Sequence, residues 1–422
     1  MKKIKIKKIL KYSVIPALLF LLAITIAPTL FYNQEKNDNP LPPYYQKGIY
    51  HMHSTFSDGA GNIDEITKAA ATLGLDFVIL TDHGRPNIQC AKATGYYNNV
   101  LLIGGSEFSM NCGHLTALGF QIPDYIFPPE PQEAIDEVTA DKGVCFIAHP
   151  FDRIAWTDWE IENFTGIELL SLSSYAGKMS IGQFLKFLVQ YPFNSKYALL
   201  NTIAYPRQNI DKWNAVNAGG KYYGIYALDA HARLEVTEKI WFNFPTYRAL
   251  GQILTVYVKS GQRPRADAGK NPHDASGEII SALRKGNFFN VVEAIAPANG
   301  FEARFIDENG ESIEMGGSTG LSRGRIEIEL PFSFETEIVV KRDGKIFKSS
   351  KIFGGVGTFF QKGSDPPEAN SHRPTAKIEI DEPGVYFLEV YAVKNRFSKL
   401  PWILTNPFFI GVDERLTRKR VK

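Results

Sequence analysis

Several histidines in this chain stand where their imidazoles can share metal ions. His51 and His53 are two residues apart in a run that is predicted to be a β-strand, so the alternation of the strand points both rings to one face. A pair of this kind taken alone is more often a chance surface pair. Asp58 in Ser57-Asp58-Gly59 adds a carboxylate, although an ordinary turn residue is its simpler interpretation. The pair therefore predicts a metal site only if further ligands converge on it.

Further donors follow the ends of the later predicted strands. Six of the eight histidines lie at or just beyond such ends. The candidate metal ligands, in chain order, are His51, His53, Asp58, His83, Glu107, His114, His149, Asp229 and His231. Each alone is more simply a structural residue. Because the strand ends of an α/β barrel meet at one rim, where active sites are built, the whole set predicts a metal cluster.

The number and type of these donors indicate the chemistry. One ion takes about four to six ligands, so this set suits two or three divalent ions, and imidazole with carboxylate suits Zn, Mn or Fe. Clustered metals hydrolyse esters by activating water, and Glu107 is the carboxylate that we expect between them. Cys90, Cys112 and Cys145 are widely spaced and odd in number, so we expect neither a thiolate site nor a disulfide framework.

Six short motifs contain most of these donors, in the order His51-Met52-His53-Ser54, Ser57-Asp58-Gly59, Thr81-Asp82-His83, Gly105-Ser106-Glu107, Ala148-His149-Pro150 and Asp229-Ala230-His231. Their types and order resemble those of the PHP (polymerase and histidinol phosphatase) family of metal-dependent phosphoesterases. The resemblance implies a distorted (β/α)7 barrel with three metals, held by the nine candidate ligands. Tyr50 stands where the family usually has Asp, and since it should face away from the two histidines, we expect the site to survive.

A second resemblance concerns the later half of the chain. Gly384-Val385-Tyr386 and Pro401-Trp402-Ile403-Leu404-Thr405-Asn406-Pro407 resemble segments of exported PHP-like hydrolases with a C-terminal β domain. That subgroup is similar to an aryl carbamate hydrolase as well as to phosphoesterases. The resemblance therefore widens the range of substrates to be considered.

Three functions remain open. The first is a phosphoesterase acting on a small phosphorylated molecule or a nucleotide, with Glu107 and His149 as catalytic residues and Arg85 and Arg153 binding the phosphate, although each arginine is as readily a surface residue. Arg233 is a weaker third candidate for that role. The second function is hydrolysis of a carboxylic ester, carbamate or amide at the same metals. The third is a non-catalytic protein that binds envelope polymer. His273 and His372 are expected outside the cluster.

The elements that must position these residues alternate between strands and helices. From Lys47 to Asn299 this alternation predicts an α/β metallohydrolase domain, and Asn62 with Glu65 should cap its first helix. An aromatic-rich stretch from Lys178 to Lys212 interrupts the rhythm and is more simply a packed helical insertion than a substrate pocket. Residues 300–412 alternate in the manner of an immunoglobulin-like β-sandwich.

The ends of the chain complete the predicted organisation. A basic segment, 1–12, precedes an apolar run, 13–32, which we expect to be a transmembrane helix followed by a linker, 33–46. The catalytic domain would then be membrane-anchored and extracytoplasmic, and a cleaved signal peptide is the alternative. Residues 413–422 form a basic tail. With 47 basic and 45 acidic side chains, the net charge of +2 predicts no stable nucleic-acid complex, so the expected partner is a small-molecule substrate, and the oligomeric state stays open.

Overall fold

A computed structural model describes residues 15–237, 240–261, 269–331, 334–352 and 374–412 of the 422. Its helices, numbered in chain order, are α1 Ile15–Leu30, α2 Ile63–Thr72, α3 Ile88–Ala91, α4 Pro131–Ala140, α5 Leu172–Gly177, α6 Ile181–Gln190, α7 Ser195–Leu200, α8 Arg207–Asn217, α9 Tyr247–Gly251 and α10 Pro272–Lys285.

The strands fall into an α/β part and an all-β part. Up to residue 299 they are β1 Tyr45–Met52, β2 Phe77–Leu80, β3 Gly95–Tyr97, β4 Val100–Gly104, β5 Ser106–Met110, β6 Gly113–Leu118, β7 Val144–Ala148, β8 Gly166–Ser171, β9 Tyr223–Ala227, β10 Arg233–Thr237, β11 Ile240–Asn243, β12 Thr255–Lys259 and β13 Phe288–Val291. Beyond it they are β14 Glu302–Asp307, β15 Ser312–Ile313, β16 Ser318–Thr319, β17 Gly324–Glu329, β18 Thr336–Arg342, β19 Lys345–Ile352, β20 Thr375–Ile380, β21 Gly384–Ala392, β22 Ile403–Thr405 and β23 Phe408–Ile410.

Two groups of parallel strands carry the predicted metal ligands. β1, β2 and β4 are parallel neighbours in one sheet, and β7, β8 and β9 are parallel neighbours in another. The antiparallel strands β5 and β6 connect the second sheet to the end of the first, where the Gly105 amide donates to the Leu80 carbonyl. On the other side, the His53 amide donates to the Ala230 carbonyl. These contacts bring the carboxyl ends of both groups together.

The local signals in the sequence account for the first βα unit. Asn62 and Glu65 form a complete capping box, in which each side chain accepts from the other residue's backbone amide, and α2 begins at Ile63. Ile66 and Ala70 are buried on the side of the helix that faces the sheet. Tyr50 of β1 packs against Phe146 of β7 with 5.6 Å between the ring centroids. Its hydroxyl group shares a hydrogen bond with the Thr116 hydroxyl.

The strands beyond residue 299 form two layers that are antiparallel except where β16 pairs with β23 in parallel. One is the four-stranded sheet β15-β14-β17-β20, and the other contains β18, β19 and β21. Buried side chains of the two layers, such as Phe305 and Leu388, belong to one apolar core. The second layer is continuous with the α/β part, because β22 pairs with β13 as well as with β21. The sequence did not predict this continuity.

The predicted transmembrane anchor at 13–32 is wrong. The described part of this run, α1, has 16 residues, and at about 1.5 Å of rise per residue it spans roughly 24 Å, against a bilayer core of roughly 30 Å. Among the helices of the described residues, none has the length and apolar character needed to span a membrane. The side-chain amides of Gln190 and Asn194 donate to the carbonyl oxygens of Thr25 and Thr29, so the end of α1 packs on protein. The predicted localisation, a membrane-anchored and extracytoplasmic catalytic domain, is contradicted by the same finding.

The predicted linker lies against the α/β part. The Glu35 amide donates to the Ile295 carbonyl at 3.0 Å, and the Asn37 side-chain amide donates to the Asn299 carbonyl at 2.9 Å. The segment therefore follows the surface of the folded chain. The predicted basic segment, 1–12, and basic tail, 413–422, lie outside the described residues, as does His372.

Candidate metal centre

The nine predicted ligands are brought to one place by the strand ends. His51 belongs to β1 and Glu107 to β5, while His114 is the second residue of β6. Five others lie within four residues beyond a strand end: His53 after β1, His83 after β2, His149 after β7, and Asp229 and His231 after β9. Asp58 comes from the turn between β1 and α2.

Their donor atoms form three overlapping groups, in each of which the ligand atoms lie within 4.8 Å of one another. His53 belongs to two of the groups and Glu107 to two. Sharing of this kind is what a cluster of neighbouring ions requires, because a bridging side chain faces two ions at once. The groups are His53, Asp58, His83 and His231; His51, His53, Glu107 and Asp229; and Glu107, His114 and His149.

Glu107 lies at the centre of the cluster and is fully buried. Its Oε2 is 3.2 Å from the Nε2 atoms of both His51 and His53, and 3.3 Å from Nδ1 of His83. Its Oε1 is 2.9 Å from Nδ1 of His114 and 3.0 Å from Nε2 of His149. The two oxygens of one carboxylate therefore face two different sets of imidazoles.

The backbone at three of these positions is bent out of regular strand geometry. His51, His149 and Asp229 have φ angles of 64°, 28° and 50°, which are uncommon for residues with a side chain. The pairing of β1 with β2 also shifts register between Ile49 and Met52. His51 and His53 therefore meet through a distorted strand end, whereas the sequence argument assumed the simple alternation of a regular strand. Strain of this kind is common at functional sites.

Two buried carboxylates outside the predicted set hold the ligands in place. Glu168 of β8 accepts from His51 Nδ1 at 2.6 Å and from the His149 backbone amide at 3.0 Å. Asp82 accepts from the backbone amide and the hydroxyl group of Ser54 and from the Ser57 hydroxyl group, at 2.8, 2.7 and 2.6 Å. Asp82 thereby fixes the turn that carries Asp58. Sequence reasoning assigned a role to neither carboxylate.

The sequence nevertheless contained a signal for Glu168. It stands in Gly166-Ile167-Glu168-Leu169-Leu170, where its neighbours on both sides are apolar and buried. A carboxylate in the middle of a fully buried strand must find a partner, because its desolvation is otherwise costly.

Charges in the cluster perturb one another strongly. Burial opposes ionisation of Glu107, but the positive charge of His51 and the hydrogen bonds from His114 and His149 hold the pKa of Glu107 well below its usual range. Burial likewise opposes protonation of His149, while its hydrogen bond to Glu107 and the surrounding carboxylates raise the pKa of His149 to about 9. Without a cation, the cluster therefore holds positive charge on its own imidazoles.

The hydrogen bonding of the imidazoles fits bound cations. Nδ1 of His53 and of His149 is buried and lacks a hydrogen-bond partner. Nδ1 of His83 and of His114 faces Glu107, at 3.3 and 2.9 Å. Nδ1 of His51 is hydrogen-bonded to Glu168, and Nδ1 of His231 lies 3.0 Å from the Asp229 carbonyl oxygen. The Nε2 atoms of these two histidines thus face the cluster, which is the arrangement that metal-ligating histidines prefer. The donors are nitrogen and oxygen throughout, so the residues present fit divalent metal ions.

A cavity of about 720 Å³ opens onto the cluster at Asp58, Asp229 and His231. The arginines that were predicted to bind phosphate differ in whether they line it. Arg153 and Arg233 line this cavity. Arg85 does not, and its Nη1 donates to the Phe127 carbonyl at 2.9 Å. This position does not favour the predicted phosphate contact of Arg85.

Two further residues considered in the sequence lie outside the donor groups. His273 lies exposed at the start of α10. Cys112, near the candidate ligands in the sequence, is a buried free thiol and belongs to none of the donor groups.

Comparison with known proteins gives one family match and several weak structural likenesses. No curated protein matches the chain. A two-domain protein from Bacteroides vulgatus ATCC 8482, containing a predicted PHP-like metal-dependent phosphoesterase, is 15% identical, with a TM-score of 0.39 over 90% of this chain and 99% of that one. An amidohydrolase from Chromobacterium violaceum is 17% identical, with a TM-score of 0.27 over 47% of this chain and 92% of that one.

A third structure is a candidate metal-dependent phosphoesterase from Bifidobacterium adolescentis ATCC 15703. It is 13% identical, with a TM-score of 0.27 over 48% of this chain and 94% of that one. Scores of this size establish neither a common fold nor a shared activity. The family match is more direct, because residues 50–126, which include six of the nine clustered ligands, match the PHP domain. Residues 50–126 of this chain are therefore similar to the PHP domain.

Proposed function

We propose that this protein is a metal-dependent phosphoesterase that releases phosphate from a small organic molecule. Metal-dependent hydrolysis is the general activity that the PHP domain and the donor cluster support. The observation that carries the proposal is the sharing of Glu107 and His53 between neighbouring donor groups, at the end of a cavity that also presents arginine. Bound divalent ions would supply an activated water and neutralise charge on the phosphoryl oxygens.

The chain itself gives the site a buried and an open side. His51, His53 and Glu107 have almost no exposed side-chain surface, so they would hold the ions from below. The side chains of Asp58, His83 and His231 are 48%, 32% and 25% exposed, so substrate would approach from their side. The closed side excludes bulk water, which strengthens every electrostatic contact in the site.

Arg153 supports a phosphate substrate over a neutral ester. It is exposed, lines the cavity, and forms no ion pair with any carboxylate in the described part of the chain. Arg233 also lines the cavity, where it is fixed by an ion pair with Glu235 at 3.0 Å and by Trp241 at 5.0 Å. A guanidinium group can bind two phosphate oxygens at once and neutralise their negative charge. A neutral carboxylic ester carries no such charge and does not need this contact.

The test is metal-dependent phosphate release by the full chain. We expect two or three Mn or Zn ions per chain by elemental analysis, turnover of p-nitrophenyl phosphate but little of p-nitrophenyl acetate, and loss of turnover on chelation. His53→Ala should lower turnover by at least about 100-fold, since loss of even a supporting residue commonly costs 10- to 100-fold. His273→Ala is the matched control. Turnover of the acetate alone would favour the ester and amide alternative, and metal-free, inert protein would favour a binding role.

A further inference from the structure

We propose that the leaving group of the substrate is an extended apolar alcohol, seated against the helical insertion between β8 and β9. This inference rests on the phosphoesterase function proposed above and narrows its substrate class. The small phosphorylated molecule would then be an amphiphile, with its phosphate at the metal cluster and its carbon chain in the cavity. The evidence lies in how polar and apolar side chains are distributed around that cavity.

The cavity has two chemically different parts. Its charged side chains come from the chain beside the cluster, at 229–235, together with Asp58 and Arg153. The insertion contributes the wall between 172 and 202, and none of its lining residues is charged. Met179, Phe184 and Phe187 supply the largest apolar surfaces of that wall. One cavity therefore joins a charged part, which contains both arginines and carboxylates, to an apolar part.

This wall is held in place by neighbouring residues and still leaves apolar surface facing the cavity. Phe187 is buried and packs on Phe244, 5.8 Å away between ring centroids, so the wall is braced by the segment that follows β11. Phe184 and Met179 are only half-buried and retain surface that a ligand can cover. The cavity volume of about 720 Å³ falls within the range of roughly 300–1,000 Å³ that is typical of small-molecule sites.

The apolar wall discriminates between kinds of phosphoester. A sugar or nucleoside leaving group would bring hydroxyl groups against Met179, Phe184 and Phe187, whose side chains cannot satisfy them, and this is unfavourable. A hydrocarbon chain gains free energy from the same surface, about fourfold in binding for each methylene that is buried. We therefore expect selectivity that rises with chain length until the cavity is filled.

The experiment is a chain-length series on the metal-loaded full-length protein. We expect kcat/KM for n-alkyl phosphates from methyl to octyl to rise by up to about fourfold per buried methylene. The non-hydrolysable n-alkylphosphonates should bind more tightly as the chain lengthens, so their Kd should fall by the same factor. Calorimetry measures this binding without turnover. Phe184→Ala should reduce the octyl-to-methyl ratio at least about tenfold, because a large part of the apolar wall is lost.

Controls separate this inference from the function beneath it. Leu185→Ala is the matched control, because Leu185 is 57% exposed on the same helix and does not line the cavity. Met179→Ser repeats the test at a second half-buried position if Phe184→Ala does not fold. Hydrolysis of methyl phosphate with no dependence on chain length overturns the inference alone. If no member of the series releases phosphate, the proposed function fails and the inference fails with it. If phosphate is released but all the phosphonates bind with equal Kd, the inference alone is overturned.

Discussion

Glu168 and His51 form a buried pair in which the carboxylate Oε1 lies 2.6 Å from the imidazole Nδ1, and neither side chain is exposed to solvent. The second oxygen of Glu168 accepts from the His149 amide, so one carboxylate orients ligands from two strands. Because His51 Nδ1 is engaged, its Nε2 faces Glu107 and Asp229. The orientation of the deepest ligand is thus set by a residue outside the donor groups.

Replacing Glu168 with glutamine should weaken metal binding without unfolding the protein. The amide keeps the shape of the carboxylate but loses the charge that favours a donating Nδ1–H and a free Nε2 on His51. We expect a loss of about 10- to 100-fold in affinity, which is typical for residues that support metal-ligating histidines. Competitive titration with a chromophoric chelator measures this affinity. Glu160→Gln, at an exposed position, is the control, and wild-type affinity in Glu168→Gln would show that the pair does not position His51.

Metal stoichiometry should depend on which donor is removed. His114 belongs to one donor group, whereas Glu107 belongs to two. We expect His114→Ala to lose about one ion per chain and Glu107→Ala to lose more than one, because the shared carboxylate holds neighbouring ions together. Elemental analysis of the purified variants measures the difference, with circular dichroism to verify folding. Equal losses in the two variants would contradict a shared role for Glu107.

The identity of the candidate metal ligands could be predicted from the sequence, but their backbone geometry could not. The type and order of the nine donors predicted the residues that the structure brings together, because strand ends in an α/β fold meet at one rim. The backbone angles at these ligands cannot be predicted from residue types and spacing. The positive φ angles of His51 and Asp229 arise from tertiary contacts, such as the Asp229 amide donating to the His51 carbonyl, which no local pattern encodes.

The failures have physical causes as well. The apolar run at 13–32 predicts one membrane helix. The described helix ends at Leu30, and the side-chain amides of Gln190 and Asn194 donate hydrogen bonds to carbonyl groups in its last turns. Nothing near residue 13 reveals those distant side chains. The pairing of β13 with β22 joins residues more than one hundred positions apart, and its register cannot be read from two short apolar runs.

Metal removal should lower thermal stability through the same cluster. Ligands that bind the folded state stabilise it by mass action, by about 2.7 kcal/mol at a free concentration one hundred times Kd. Chelation should therefore lower Tm, and added Mn or Zn should restore it in a concentration-dependent way. Differential scanning calorimetry on wild type and His53→Ala measures the effect, and the variant should respond much less. An unchanged Tm on chelation of metal-loaded wild type would contradict metal binding to the folded cluster.

Asn406 should contribute strongly to the joint between the α/β part and the later strands. It is fully buried, its Oδ1 accepts from the Gly224 amide at 2.8 Å, and its Nδ2 donates to the Phe288 carbonyl at 3.1 Å. Asn406→Ala leaves two buried backbone groups without partners, at about 1–3 kcal/mol each, so we expect the free energy of unfolding to fall by roughly that amount or more.

Urea unfolding followed by fluorescence measures the effect of Asn406→Ala, and Asn309→Ala in an exposed turn is the control, expected within about 0.5 kcal/mol of wild type. If the joint couples the two parts, Asn406→Ala should also separate one transition into two, because the later strands lose a buried contact to β9 and β13. A variant as stable as wild type would mean that water replaces both hydrogen bonds, and that the continuous β13–β22 sheet alone holds the two parts together.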